Sequence, residues 1–141
     1  MRKHVMAFTY EPKIEGVRNG TIRQTIRPYN PKKPKVVGDE VLFHGWSEKP
    51  YRSKWNWRQR ETLTEVINIL VFPDAYQYSM PVVKDDDGSI WQVRTVMWNG
   101  EEADDLARLD GIDPPTGLAL REFLVGNYVL VGGKFFQVIR W

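Results

Sequence analysis

Between Arg52 and Arg60 the chain reads RSKWNWRQR, which interleaves the cations Arg52, Lys54, Arg58 and Arg60 with the indoles of Trp55 and Trp57. Cations neutralise phosphate and indole faces accept unstacked bases, so this is the composition of a surface that holds single-stranded nucleic acid. Its layout depends on the backbone. As a strand, period-two alternation sends Ser53, Trp55, Trp57 and Gln59 to one face and Arg52, Lys54, Asn56, Arg58 and Arg60 to the other, parting aromatics from charge. As a loop, the same indoles are more open to stacking. A second candidate lies in GTIRQTIR, from Gly20 to Arg27, where alternation puts Arg23, Thr25 and Arg27 on one strand face. Two forked guanidinium groups suit phosphate there. Lys32, Lys33 and Lys35 add loop charge that serves solubility as readily as phosphate contact.

These residues belong to a basic half of the chain. Residues 1–60 hold 14 Lys and Arg against 5 Asp and Glu, whereas residues 61–141 hold 6 against 13, a contrast that the net charge of +2 conceals. A basic region with interspersed aromatics is the footprint of a nucleic-acid binder. Other chemistries find less. The absence of cysteine excludes disulfides, thiol catalysis and thiolate zinc sites. His4 and His44 have no carboxylates at ligand spacing, so neither a metal nor a cofactor is expected. The run of Asp85, Asp86, Asp87 and Gly88 lacks the later ligands of a calcium loop and reads as a solvated turn. Glu101, Glu102, Asp104 and Asp105 fit the first turn of a helix, where they complement its dipole. Asp110, ahead of Gly111, could turn the chain or act on a substrate.

At 141 residues and 42% hydrophobic content, one folded domain over residues 1–141 is expected. Residues 3–8 read as a strand, and residues 11–18 as a short helix with Pro12 in its first turn and Gly20 as its stop. Strands are expected over 25–27 and 41–46, separated by a loop marked by Pro28, Pro31 and Pro34. Thr, Val and Ile favour strand across 58–72. Residues 76–83 and 89–98 read as a hairpin around Asp87-Gly88. Helices are expected over 101–109 and 118–125, the second ended by Gly126, and then a closing hairpin pairs 128–131 with 135–139 across Gly132-Gly133. The order implies an α+β fold centred on a curved sheet or small barrel. No apolar run nears the roughly 18 residues of a membrane span, and the one from Val5 to Phe8 is too short for a leader, so a cytoplasmic protein without a membrane partner is expected.

The order of these segments resembles the ASCH domain, a PUA-like β-barrel family whose signature sets a glycine, a lysine two positions on, a threonine three beyond and an arginine two further, followed by a loop and a Gly-Asp that opens a strand. Gly20, Thr25 and Arg27 match, and Gly38-Asp39 followed by VLFHG stands at a suitable distance. ARLDGI, GNY and the final FFQVIRW resemble the family's helix and closing strand. Ile22 occupies the lysine position, and Arg23 falls one residue late. The resemblance implies a PUA-like small β-barrel with flanking helices, in which residues 76–98 form an inserted β-hairpin. It also implies an RNA or nucleoside ligand. One branch of the family hydrolyses the amide of acetylated cytidine; the carry-over puts its threonine on Thr25, its carboxylate on Asp110 and its lysine on Ile22. An isoleucine can neither carry nor shift a charge, and Arg23 stays protonated. The expectation is therefore RNA binding by Arg23, Arg27, Arg52, Lys54 and Arg58, with Trp55 or Trp57 near a base; the alternative is a nucleoside or RNA hydrolase using Thr25 and Asp110.

Overall fold

In a computed structural model that describes residues 1–47, 53–84 and 88–141, with backbone alone for 80–84 and 88–91, eight strands and three helices follow one another. They are β1 (Lys3–Ala7), α1 (Glu11–Asn19), β2 (Gln24–Pro28), β3 (Glu40–Trp46), β4 (Trp55–Thr62), β5 (Glu65–Val71), β6 (Ala75–Lys84), β7 (Gly88–Met97), α2 (Glu101–Leu109), α3 (Gly117–Asn127) and β8 (Lys134–Arg140). The α+β class holds. The strands form a three-stranded sheet, in the order β1, β3, β4, and a five-stranded sheet, in the order β2, β8, β5, β6, β7, rather than the closed barrel expected.

Three local expectations change. The β-branched stretch over 58–72 is two strands, β4 and β5, in different sheets, broken where Leu63 is buried and its N–H donates to the Asp39 carbonyl. The closing hairpin is absent: residues 128–131 form no strand, and β8 is instead flanked by β2 and β5. Gly126 does not stop α3, which runs on to Asn127. The hairpin of β6 and β7 is present, with Lys84 opposite Gly88. Its turn, Asp85 to Asp87, lies outside the described residues.

By internal contacts the chain divides into two compact units, one of Met1–Thr25, Asn30–Val66 and Ile139–Trp141 and the other of Ile26–Tyr29 and Ile67–Val138. In the second unit, Ile69, Val71, Tyr76, Val96, Phe136 and Val138 from strands meet Ala103, Leu106, Ala107, Leu120 and Leu124 from α2 and α3 in one core. Thr116 caps α3 by accepting from the Ala119 N–H, and Asp104 of α2 accepts from the Gly117 N–H at 2.8 Å, so two side-chain oxygens tie down the start of α3. On the flank, Glu102 accepts from the Tyr78 hydroxyl and the Arg94 guanidinium, and the latter holds its carboxyl below the usual range against the opposing effect of burial.

The first unit packs Met6, Phe8, Ile14, Val17, Val41, Phe43, Leu63, Ile139 and Trp141 around α1 and one face of the three-stranded sheet. Its centre strand, β3, pairs parallel with β1, with His4 opposite Val41, and antiparallel with β4. Parallel neighbours cannot be joined by a tight turn, so something beyond the ladder has to set where β3 starts. Gly38 does part of this by taking φ +92, a conformation that L side chains rarely adopt. Asp39 does the rest. Its buried carboxylate accepts from the N–H of Arg2, the N–H of Val36 and His4 Nε2, at 3.0, 3.1 and 2.8 Å. An ionised carboxylate only accepts, so Nε2 carries the hydrogen in that contact. Burial alone would raise the Asp39 pKa; the bonds from His4, Arg2 and Val36 outweigh it and bring it down to about 2.

A lowered carboxyl pKa contributes stability that is complete above its unfolded value, about 3.8, and is lost as pH falls through about 2. Replacing Asp39 by Asn is therefore expected to lower the unfolding temperature at neutral pH, and the gap to wild type is expected to close as pH drops from about 4 to 2. Thermal melts across that range check this; a constant gap would remove the ionised carboxylate from the account.

Candidate nucleic-acid interface

Alternation along β3 turns Val41, Phe43 and Gly45 toward the core and Leu42, His44 and Trp46 to the outer face of the sheet. Cross-strand partners share a face, so Gln59 and Trp57, opposite Phe43 and Gly45, lie on the core side, while Arg60 and Arg58, opposite Leu42 and His44, lie outside. The register then slips: the next pair is Trp46 with Trp55, and Asn56 has no partner in the ladder. Asn56 is the extra residue of a β-bulge. Its side-chain oxygen stays on the Gly45 side, 2.6 Å from where a Cβ on that glycine would stand.

One extra residue reverses the face of the strand residue beyond it, which in β4 is Trp55. Trp55, which plain alternation puts beside Trp57, comes out on the opposite face with Arg58, and the expected separation of aromatics from charge is undone for this tryptophan. The contacts agree. The Trp55 ring stacks on the His44 imidazole with centroids 3.8 Å apart at 14°, Trp46 meets both edge-on, and the Arg58 guanidinium lies over Trp55 at 4.8 Å. Trp57 instead packs against Phe8, at 6.2 Å between centroids, as part of the core.

The outer face of this sheet is open. Lys3, Val5, Arg58, Arg60 and Thr62 are exposed and Leu42 is half-buried. At the Trp55 end, Ser53, Lys54, Trp55 and Arg58 border a recess of about 430 Å³, and the Ser47 N–H donates to the Lys54 carbonyl to hold β3 and β4 together there. At the other end, Arg60 pairs with Glu40 at 3.3 Å, a solvent-exposed contact of small energetic weight. Among the described residues, arrangement and composition together give a stacking ring, two cations beside it and no acid lining the recess.

Other expected site residues lie elsewhere. Arg52 is outside the described residues. Arg23 precedes β2 and is exposed, but its Nε donates to the Trp141 carbonyl at 2.7 Å while the Trp141 N–H donates back to Arg23, so it anchors the end of β8. Thr25 is only 2% exposed in the first unit, and Arg27 is half-buried in the second. Asp110, buried in the second unit, is the C-cap of α2. Ile22 packs with the core of the first unit and lies against Gly16, where an added Cβ would come within 2.4 Å of its Cδ1. Among the described residues no group of three or more His, Asp or Glu could hold a metal ion, and no helix is long and apolar enough to cross a membrane.

His44 and Trp46 are the members of the cluster that alternation in RSKWNWRQR could not supply. Their own alternation in FHGW was readable, but their meeting with Trp55 depends on the bulge. No family model matches the chain, and no curated protein or solved structure does either.

The bulge makes a measurable claim about two side chains three positions apart in a strand. A double-mutant cycle of Trp55→Phe and Arg58→Ala is expected to return a favourable coupling of about 0.5 kcal/mol in unfolding free energy, the size of an exposed cation–π pair. Zero coupling would put the two on opposite faces, as unbroken alternation does.

Proposed function

We infer that this chain is an ASCH-type, PUA-like module that binds single-stranded RNA through the outer face of the sheet formed by β1, β3 and β4. The observation that carries the reading is Trp55 and Arg58 held together on that face, with Lys54 at their side. A base needs a π-surface and its phosphate needs a cation within one nucleotide's reach, and this is what a binder of unstacked nucleotides supplies. The imidazole of His44 backs the indole, so less side-chain freedom is lost when a base arrives. Bases inside a duplex are closed to such a platform, which favours single strands. The order of Gly20, Thr25, Arg27 and Gly38-Asp39 supports the family assignment, and the basic N-terminal region supports a polyanionic partner.

The hydrolase alternative gains nothing from the geometry. A lysine-dependent amide cleavage needs an ammonium where Ile22 packs on Gly16, and the Thr25 hydroxyl belongs to a buried residue. Trp57 and Arg23 drop out of the interface as members of the core and of the anchor to residue 141.

Affinity for a single-stranded RNA oligonucleotide is expected to fall with salt, each neutralised phosphate contributing about 0.7 to the slope of log K against log salt. Replacing Lys54 and Arg58 together by Ala is expected to reduce that slope by about 1.4. Trp55→Ala is expected to cost about 1–3 kcal/mol of binding with the slope unchanged. Salt titrations of the three proteins decide: equal slopes for wild type and the double variant would remove these cations from the interface.

A further inference from the structure

The recesses of the first unit differ in charge. The one beside Arg23 and Arg60 is also lined by Glu40 and Glu61, and the one along α1 by Glu11 and Glu15 with Arg18, so acids neutralise or outweigh the cations in both. Among the described residues, the recess at the Trp55 end carries Lys54 and Arg58 and no carboxylate. Among the described residues neither cation has an acidic partner. The Arg58 guanidinium lies over the indole at 4.8 Å, and its fork of N–H donors suits an anion beside that ring.

A phosphodiester inside a strand carries one negative charge, whereas a terminal phosphomonoester carries about 1.5 to 2 at neutral pH and presents three acceptor oxygens. Two cations without an acidic partner among the described residues, beside one stacking ring, match the second better than the first.

We propose that the recess bordered by Ser53, Lys54, Trp55 and Arg58 is a site for one terminally phosphorylated nucleotide, with the phosphomonoester between Lys54 and Arg58 and the base on the Trp55 and Arg58 stack. This rests on the reading of the sheet face as an RNA-binding surface and narrows it: the chain recognises the phosphorylated end of a strand, and a single nucleotide is a sufficient ligand.

The test is calorimetric titration of the full chain with adenosine 5′-monophosphate, adenosine, inorganic phosphate, and one RNA oligonucleotide prepared with and without a 5′-phosphate. Expected is 1:1 binding of the monophosphate, with adenosine and inorganic phosphate each weaker by roughly tenfold or more, the loss of one charge-assisted contact or one stack. The 5′-phosphorylated oligonucleotide is expected to bind roughly tenfold more tightly than its hydroxyl counterpart, and Lys54→Ala and Arg58→Ala, both changes of exposed side chains, are expected to erase that difference. Equal binding of the two oligonucleotides, or oligonucleotide binding with none by the monophosphate, would overturn the end-recognition site and leave the RNA-binding reading standing. No binding by any of the four nucleoside-containing ligands would overturn both.

Discussion

A carboxylate stays charged away from water only if donors surround it, and the first unit is arranged to provide them for Asp39. Three donors from two pieces of chain converge on its oxygens: the N–H of Arg2 and the His4 ring from the start of β1, and the N–H of Val36 from the turn before β3. Because β1 and β3 are parallel and joined through α1, β2 and a proline-marked loop, no hairpin turn sets their register. Asp39 does so by tying the first residue before β3 to the residues at the start of β1. That register places Ala7 opposite His44, and the ladder beyond it places His44 opposite Arg58. A shift of one residue would turn Val41 and Phe43 out of the core and His44 into it.

The bulge at Asn56 is the second constraint, and it converts a structural strand into a candidate binding surface. Without it, Trp55 and Trp57 would sit together on the core side and Arg58 would face solvent by itself. With it, the strand keeps Trp57 as a core residue beside Phe8 and delivers Trp55 to the open face. The stability of the unit and the chemistry of its surface thus draw on neighbouring tryptophans of the same strand, one for each. Bulges recur next to functional sites because they re-aim side chains locally without disturbing the rest of the sheet.

Local signals in the sequence were enough for most elements. Pro12 and Gly20 bracket α1, the Ala103, Leu106 and Ala107 spacing marks α2, and the hairpin of β6 and β7 follows from alternating runs around an Asp-Gly. What failed depends on distant partners. Leu63 interrupts the β-branched run because it is drawn into the core under Asp39, which nothing in the adjacent residues announces. Residues 128–131 have strand composition but no strand to pair with, since β8 finds β2 and β5 instead. For the site, the residue types of Lys54, Trp55 and Arg58 were legible, and their common face was not: a bulge appears only when two strands are laid in register, and the Asn56 that forms it looks like any exposed strand residue. Asp39 was visible as half of a Gly-Asp pair, but its burial against His4 joins residues 35 apart in sequence.

The proposed interface puts single-stranded RNA at Trp55 and its neighbours. The most direct measurement is an amide and indole NMR titration of the labelled full chain with a single-stranded RNA oligonucleotide, since the six tryptophans give separate indole N–H reporters across both units. The Trp55 indole and the amides of Lys54, Arg58 and His44 are expected to shift first and together, while the indoles of Trp98 and Trp141, buried in the two cores, stay in place. Shifts confined to α2 and α3, or a titration that leaves Trp55 unmoved while RNA binds, would contradict it.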